Sequence, residues 1–259
     1  MSAKVINVKV KNGEVPVIKF GEGEKTLIIL PGLSYDGVAE LKDAIEQSYS
    51  LFCDKYTVYL IERNVNPCRG YTIENVADDV YDAATELGVK GADVFGVSMG
   101  GAAAQMLAVK YKGFVHSLVL GSTFCRINDN MRKVIGEWKV LAYDVKTLTK
   151  NFAEKVYSES TLKKYEDVLT VPPIFTEDKS KRFEIYCSAC LNFDVYERLN
   201  ELPAKTFVIG AAEDKVTTPA AAKEIAQKSG AKYYEYKTFG HAVFDEATDY
   251  KQRILDFLQ

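Results

Sequence analysis

Histidine is scarce in this 259-residue chain: only His116 and His241 are present. A metal centre built on imidazoles has few ligands to draw on, and chemistry that needs a histidine base must use one of these two positions. Cysteine is sparse as well. Cys53, Cys68, Cys125, Cys187 and Cys190 form an odd, irregularly spaced set, which argues against a disulfide framework. Cys187 and Cys190 make a Cys-x-x-Cys with neither a thioredoxin-like setting nor two further ligands. They are expected to be buried thiols one helical turn apart, and no metal site is expected. Positive charge is not in excess: 33 Lys and Arg against 36 Asp and Glu leave a formal net charge of −3. A nucleic-acid partner is disfavoured for lack of a basic stripe. No stretch approaches the ~18 apolar residues of a membrane span. Residues 1–10 alternate apolar and polar positions instead of forming the core of a signal peptide. The expectation is a soluble cytoplasmic protein.

What is present is a rhythm of strands and helices. Lys4–Val10 and Val15–Phe20 flank the turn Lys11-Asn12-Gly13-Glu14 and predict a hairpin. Thr26–Leu30, Thr57–Ile61, Asp93–Val97 and Val115–Leu120 are short continuous apolar runs, as expected of strands buried on both faces of a parallel sheet. Between them, residues 35–48, Ile73–Leu87 and Met99–Lys110 carry apolar side chains at helical spacing or small buried residues. After Gly121 the rhythm stops. Met131–Tyr143, Val145–Tyr157, Thr161–Leu169 and Lys179–Cys190 all read as helices, with Val171-Pro172-Pro173 breaking the series. The β/α order then resumes with Thr206–Ile209, Pro219–Lys228, Tyr233–Lys237 and Val243–Leu258. The fold class predicted is α/β: a mostly parallel twisted sheet with helices on both faces and an inserted helical lid. Residues 1–121 and 203–259 form the core and residues 122–202 the lid.

Gly96-Val97-Ser98-Met99-Gly100 is a Gly-x-Ser-x-Gly between a buried strand and a small-residue helix. That setting puts a serine on a sharp turn, with a helix N-terminus behind it whose free N–H groups suit an oxyanion. A serine hydroxyl needs a base in hydrogen-bond reach. His116 lies inside an apolar strand, whereas His241 sits in a loop after Gly240, free to point over the sheet edge. Asp214 follows the strand Thr206–Ile209 and so reaches the same carboxyl edge, where open α/β sheets build their sites. Adjacent Glu213 is the fallback acid, and Asp245 is assigned to the exposed first turn of the last helix. For the oxyanion hole the backbone N–H groups of Met99 and of Leu33, in Pro31-Gly32-Leu33-Ser34, are the candidates.

With these motifs in the order Ser, Asp, His, the chain resembles the α/β-hydrolase superfamily, in particular the small lidded members near esterases, monoacylglycerol lipases and enol-lactonases. The resemblance covers about Thr26 to the C-terminus. It implies Ser98, Asp214 and His241 as a catalytic triad, and Leu33 with Met99 as the hole. Two stretches depart from the pattern. Pro31-Gly32 stands where relatives usually carry His-Gly. The chain reads Glu62-Arg63-Asn64-Val65-Asn66-Pro67-Cys68-Arg69-Gly70 where they often have Asp-x-x-Gly-x-Gly-x-Ser.

The lid is rich in aromatics, which favours an apolar group beneath it. Phe124, Trp138 and Phe183 are candidate substrate contacts, and Arg126, with Arg69, is a candidate for holding a carboxylate. The activity expected is hydrolysis of a small carboxylic ester, thioester or lactone through an acyl-enzyme on Ser98, with a small-molecule acyl substrate and no cofactor. A peptidase, a C–C hydrolase or an acyltransferase of the same fold uses the same residues, and a non-catalytic small-molecule receptor is the alternative of another class.

Overall fold

The computed structural model describes residues 2–259; Met1, the first residue of the expected core segment, lies outside them. The chain opens with the hairpin β1 (Lys4–Val10) and β2 (Gly13–Phe20), then β3 (Lys25–Leu30), α1 (Lys42–Ser48), β4 (Tyr56–Ile61), α2 (Ile73–Glu86), β5 (Ala92–Val97), α3 (Met99–Lys110) and β6 (Val115–Gly121). Four helices follow without an intervening strand: α4 (Asp129–Leu141), α5 (Val145–Val156), α6 (Glu159–Leu169) and α7 (Glu177–Leu191). The order then closes with β7 (Thr206–Ala211), α8 (Pro219–Ser229), β8 (Lys232–Tyr236), α9 (Val243–Glu246) and α10 (Tyr250–Leu258).

The strands form one 8-stranded sheet in the order β1-β2-β4-β3-β5-β6-β7-β8. β1 and β2, and β2 and β4, pair antiparallel; every pairing from β4 to β8 is parallel. The apolar runs are the cause. β5 and β7 are buried at every position, which only a sheet covered on both faces allows. One apolar cluster gathers residues of α2, α3, α4, α5, α7 and α8, including Val80, Leu107, Trp138 and Ile225. The other gathers Phe52, Phe95, Ile209, Tyr250 and Ile254 on the opposite face. Each strand feeds side chains alternately to the two: Ile28 and Leu30 to the first, Leu27 and Ile29 to the second. Capping fixes several helix starts. The Thr72 side chain accepts the Asn75 N–H while Asn75 accepts the Thr72 N–H, and Asn128, Asp144, Ser158 and Thr176 cap α4 to α7 in sequence.

Two helices differ from the sequence expectation. The helix expected over 35–48 begins only at Lys42, after a short 3-10 turn over Ala39–Leu41. The Glu62 carboxylate takes the Val38 N–H at 2.7 Å, and the Arg63 guanidinium donates to Ser34, which pins the preceding stretch as a loop. The last helix is split into α9 and α10 by extended backbone at Ala247. The break lets α9 follow the His241 loop while Tyr250, Ile254 and Leu258 of α10 pack under the sheet. Among the described residues no helix is long and apolar enough to cross a membrane.

Candidate active site

The carboxyl ends of β5, β7 and β8 lie on one edge of the sheet, with β6 between β5 and β7, and the loops leaving them bring three side chains together. Ser98 occupies the turn between β5 and α3 with φ +53° and ψ −119°, a conformation L side chains rarely adopt. The surroundings hold it there. The Ser98 N–H donates to the Gly121 carbonyl at 2.9 Å, and the Ser98 carbonyl accepts from Thr123 Oγ1 at 2.6 Å and from the Ala102 N–H. Glycine is required on both sides by close approach: a Cβ at Gly96 would lie 2.5 Å from the Gly100 carbonyl oxygen, and one at Gly100 would collide with the Leu30 backbone. The strained rotation at Ser98 aims its hydroxyl out of the sheet.

His241 Nε2 lies 3.0 Å from Ser98 Oγ, and His241 Nδ1 lies 2.9 Å from Asp214 Oδ2. Both His241 and Asp214 are buried. Asp214 is saturated by donors: Oδ1 accepts the N–H groups of Val216 and Thr217 at 2.8 and 2.9 Å, and Oδ2 also accepts Thr217 Oγ1 at 2.7 Å. Burial works against the carboxylate, but the adjacent imidazole and these hydrogen bonds outweigh it and hold the Asp214 carboxyl below its ordinary pKa. Glu213 is exposed. His116 is exposed on β6, its ring beside Gly91.

Leu33 sits in the loop after β3, with Gly32 against Ser98: a Cβ there would lie 3.3 Å from Ser98 Cβ. Met99 is the first residue of α3, so its N–H has no carbonyl within the helix. Neither the Leu33 nor the Met99 N–H donates to another group among the described residues. The loop carrying Leu33 is clamped from behind by the departing segment. Glu62 Oε1 accepts the Arg63 N–H and Nε–H, both at 2.8 Å, and Arg63 Nη2 donates to Ser34 Oγ at 2.6 Å. Burial opposes the charge on Glu62, and the Arg63 cation and its hydrogen bonds more than compensate, keeping this carboxyl below its ordinary range. The sequence marks the segment only as a departure, because an Arg beside a Glu reads equally as a solvated pair.

Ser98 and His241 open onto a cavity of about 450 Å³. Its walls are mostly apolar, among them Leu33, Ala44, Ile45, Trp138, Phe152 and Phe244. Of the four side chains expected at the substrate, the structure brings Trp138 to this cavity, with its indole 4.5 Å from the Phe152 ring and Nε1–H donating to Asn151 Oδ1 at 2.9 Å. The others lie elsewhere. Phe124 packs edge-on to Phe193 and Phe183 against Tyr35, so both serve packing. Arg126 pairs with Glu224 and stacks 3.9 Å over the Tyr196 ring. Arg69 does not line the cavity either. The wall supplied by α1 and its end, from Ala44 to Tyr49, and Asp245 on α9 were not legible as pocket residues, since their spacing reads as an ordinary helix face. Cys187 and Cys190 are buried on α7, and burial pushes both thiols up, Cys190 to about 12. No cluster of three or more metal-ligating side chains occurs among the described residues.

Comparison with known proteins adds the following. Residues 73–248 match the family model described as "Serine aminopeptidase, S33". The chain is similar to the 3-oxoadipate enol-lactonase 2 of Acinetobacter baylyi, with 21% identity over 181 residues, 68% of each chain. Its fold is similar to the crystal structure of the enol-lactonase from Burkholderia xenovorans LB400, with a TM-score of 0.85 and 21% identity over 98% of this chain and 99% of that one. It is also similar to a thermophilic esterase from Thermogutta terrifontis, with a TM-score of 0.79 and 18% identity over 99% of this chain and 98% of that one.

Proposed function

This chain belongs to the serine aminopeptidase, S33, family of α/β hydrolases, and on that premise we propose that it hydrolyses small carboxylic esters, thioesters or lactones through an acyl-enzyme on Ser98. The observation that carries the reading is the unbroken hydrogen-bonded series Asp214–His241–Ser98, which ends at a mostly apolar cavity beside two unengaged backbone N–H groups. The names of the enol-lactonase and esterase relatives favour an ester or lactone over an amide.

In this mechanism Ser98 Oγ attacks the substrate carbonyl carbon while its proton passes to His241 Nε2. Asp214 holds the imidazole with Nδ1 protonated and stabilises the imidazolium that forms. The carbonyl oxygen becomes an oxyanion and is met by the N–H groups of Leu33 and Met99, worth ~3–4 kcal/mol per donor in comparable sites. The tetrahedral species collapses and breaks the carbon–oxygen or carbon–sulfur bond. His241 returns the proton to the leaving oxygen or sulfur, leaving an acyl ester on Ser98. Water then repeats the sequence: it loses a proton to His241 and attacks the acyl carbon. His241 protonates Ser98 Oγ as the acid departs. The Ser98 turn, the clamped loop and the His241 loop arrive already in place, so little reorganisation accompanies charge development.

We read residues 122–202 as a lid over the core formed by 1–121 and 203–259. Trp138, Phe152, Val156 and Tyr157 contribute to the cavity wall and so help to keep water from the oxyanion. The test is fluorophosphonate labelling together with turnover of 4-nitrophenyl esters of graded acyl length. The expected result is one covalent adduct on Ser98, lost in Ser98→Ala and strongly slowed in His241→Ala, with turnover of at least one ester. A folded wild-type protein that neither labels nor hydrolyses any of these esters refutes the proposal.

A further inference from the structure

The cavity beside Ser98 is not uniformly apolar. Asp245 is the only acidic residue on its wall, and no lysine or arginine reaches that wall. The hydroxyl-bearing side chains of Tyr49, at the end of α1, and Tyr157, at the end of α5, line the same space. Neither hydroxyl nor the Asp245 carboxylate has a side-chain hydrogen bond to any group among the described residues. Tyr49 is only 9% exposed. An acceptor and two hydroxyls without protein partners on the wall of a cavity leave their hydrogen-bonding capacity open to a ligand group.

Asp245 is exposed by surface area, yet desolvation by its crowded surroundings lifts its carboxyl to about 6, with Lys251 opposing and Glu246 adding to the rise. The two facts agree for a side chain on a cavity wall, wet on one side only. Lys251 is the cation that opposes the rise, but it forms no ion pair with Asp245. Its ammonium donates to the Phe244 carbonyl at 3.4 Å and lies 5.1 Å over the Tyr49 ring. The Asp245 charge in turn helps to push up the hydroxyls of Tyr49 and Tyr157, after burial as the main cause, so both remain protonated at neutral pH.

We propose that Asp245, Tyr49 and Tyr157 form a specificity anchor that takes a hydrogen-bond donor on the substrate, so that esters or lactones bearing an alcohol or ammonium group away from the reacting carbonyl are selected and those bearing a free carboxylate are rejected. The chemistry is one of sign and pairing. An ionised carboxylate accepts from ammonium or hydroxyl with charge-assisted strength. A second carboxylate brought beside Asp245 meets repulsion, with no lysine or arginine on the cavity wall and only Lys251, engaged by the Phe244 carbonyl, to offset it.

The inference rests on the cavity being the substrate site, so its test has two arms. In the first, 4-nitrophenyl esters of one acyl length end in methyl, hydroxyl, ammonium or carboxylate, and kcat/KM is measured at pH 8. The expected ratio of ammonium-ended to carboxylate-ended substrate is at least ~tenfold in wild type, where tenfold corresponds to 1.4 kcal/mol, and it falls at least tenfold in Asp245→Asn. Tyr49→Phe lowers the preference for the hydroxyl-ended over the methyl-ended ester. In the second arm, n-octylammonium and octanoate binding to Ser98→Ala is measured by calorimetry, and the ammonium binds at least tenfold more tightly. An anchor without catalysis would leave the second arm intact while no ester turned over. A carboxylate-ended ligand handled as well as the ammonium-ended one, in either arm, overturns the anchor, as does a ratio unchanged in Asp245→Asn.

Discussion

Replacing Asp214 by Asn changes one atom type and gives the sharpest prediction. The carboxylate accepts two backbone N–H groups on Oδ1, and His241 Nδ1 and Thr217 Oγ1 on Oδ2. An asparagine has one acceptor end and one donor end. Turning its NH2 toward Val216 and Thr217 would set donor against two buried donors, at ~1–3 kcal/mol for each unsatisfied group. The amide therefore keeps its oxygen on the backbone side and presents its NH2 to His241 Nδ1. That nitrogen must become the acceptor, so the ring proton moves to Nε2, the atom facing Ser98. Under the proposed mechanism the base is then in the wrong tautomer, a defect that costs ~10⁴ in kcat in a comparable triad, equivalent to ~5 kcal/mol of barrier. The measurement is kcat/KM on a 4-nitrophenyl ester, with nitrogen-15 shifts of the His241 ring reporting the tautomer and Glu213→Gln as the control expected within about twofold of wild type. Stability carries a separate signature. The folded pKa of Asp214 is lowered, so its stabilisation is present above the unfolded value of ~3.9 and is lost as pH falls through the folded value. The stability gap between wild type and Asp214→Asn is expected to narrow below about pH 4. An Asp214→Asn protein within tenfold of wild-type kcat/KM would refute the assignment of Asp214 and the tautomer argument with it.

Other substitutions probe other parts of the site. Ala44→Leu adds bulk to the apolar cavity wall and should shift the acyl-length optimum to shorter chains, read from kcat/KM across the ester series. Glu62→Gln leaves the buried Arg63 guanidinium without its anionic partner and is expected to lower stability by ~3 kcal/mol in chemical denaturation, with a larger fall in kcat than rise in KM if the loop bearing Leu33 loosens. Gly100→Ala drives a methyl into the Leu30 backbone and should abolish soluble, labelling-competent protein. Asp245 has a raised folded pKa, so its ionisation disfavours the folded state above about pH 6, and the effect vanishes below its unfolded pKa. Asp245→Asn should therefore be more stable than wild type at pH 8 by ~1 kcal/mol after allowance for solvent screening, with the difference closing toward pH 4 in thermal melts.

The elements were legible because their signals are local. Apolar runs such as Thr26–Leu30 and Asp93–Val97 predict buried parallel strands, and the structure extends them by one residue or so to Lys25–Leu30 and Ala92–Val97. Met99–Lys110 appears with the bounds its composition suggests. Where a helix expectation missed, a distant partner had intervened. Val38 is claimed by Glu62, and the last helix is divided so that one piece serves the His241 loop and the other the underside of the sheet. The candidate substrate side chains show the same limit. Trp138, Phe124 and Phe183 look alike as aromatics of the segment after Gly121, yet only the first lies on the cavity wall.

By itself the sequence determined the kind of sheet, the interruption after Gly121, and the identities and order of Ser98, Asp214 and His241, since strand ends, glycine turns and the shortage of histidines are properties of neighbouring residues and of counts. Only the tertiary structure decided that His241 stands 2.9 Å from Asp214 and 3.0 Å from Ser98, that Glu62 and Arg63 grip the loop after β3, and that Asp245, exposed in the first turn of α9, also lines the cavity. Those are relations between residues far apart in the chain. They are set by how the elements pack, and helical or strand periodicity reports which face of an element is buried without saying what lies against it.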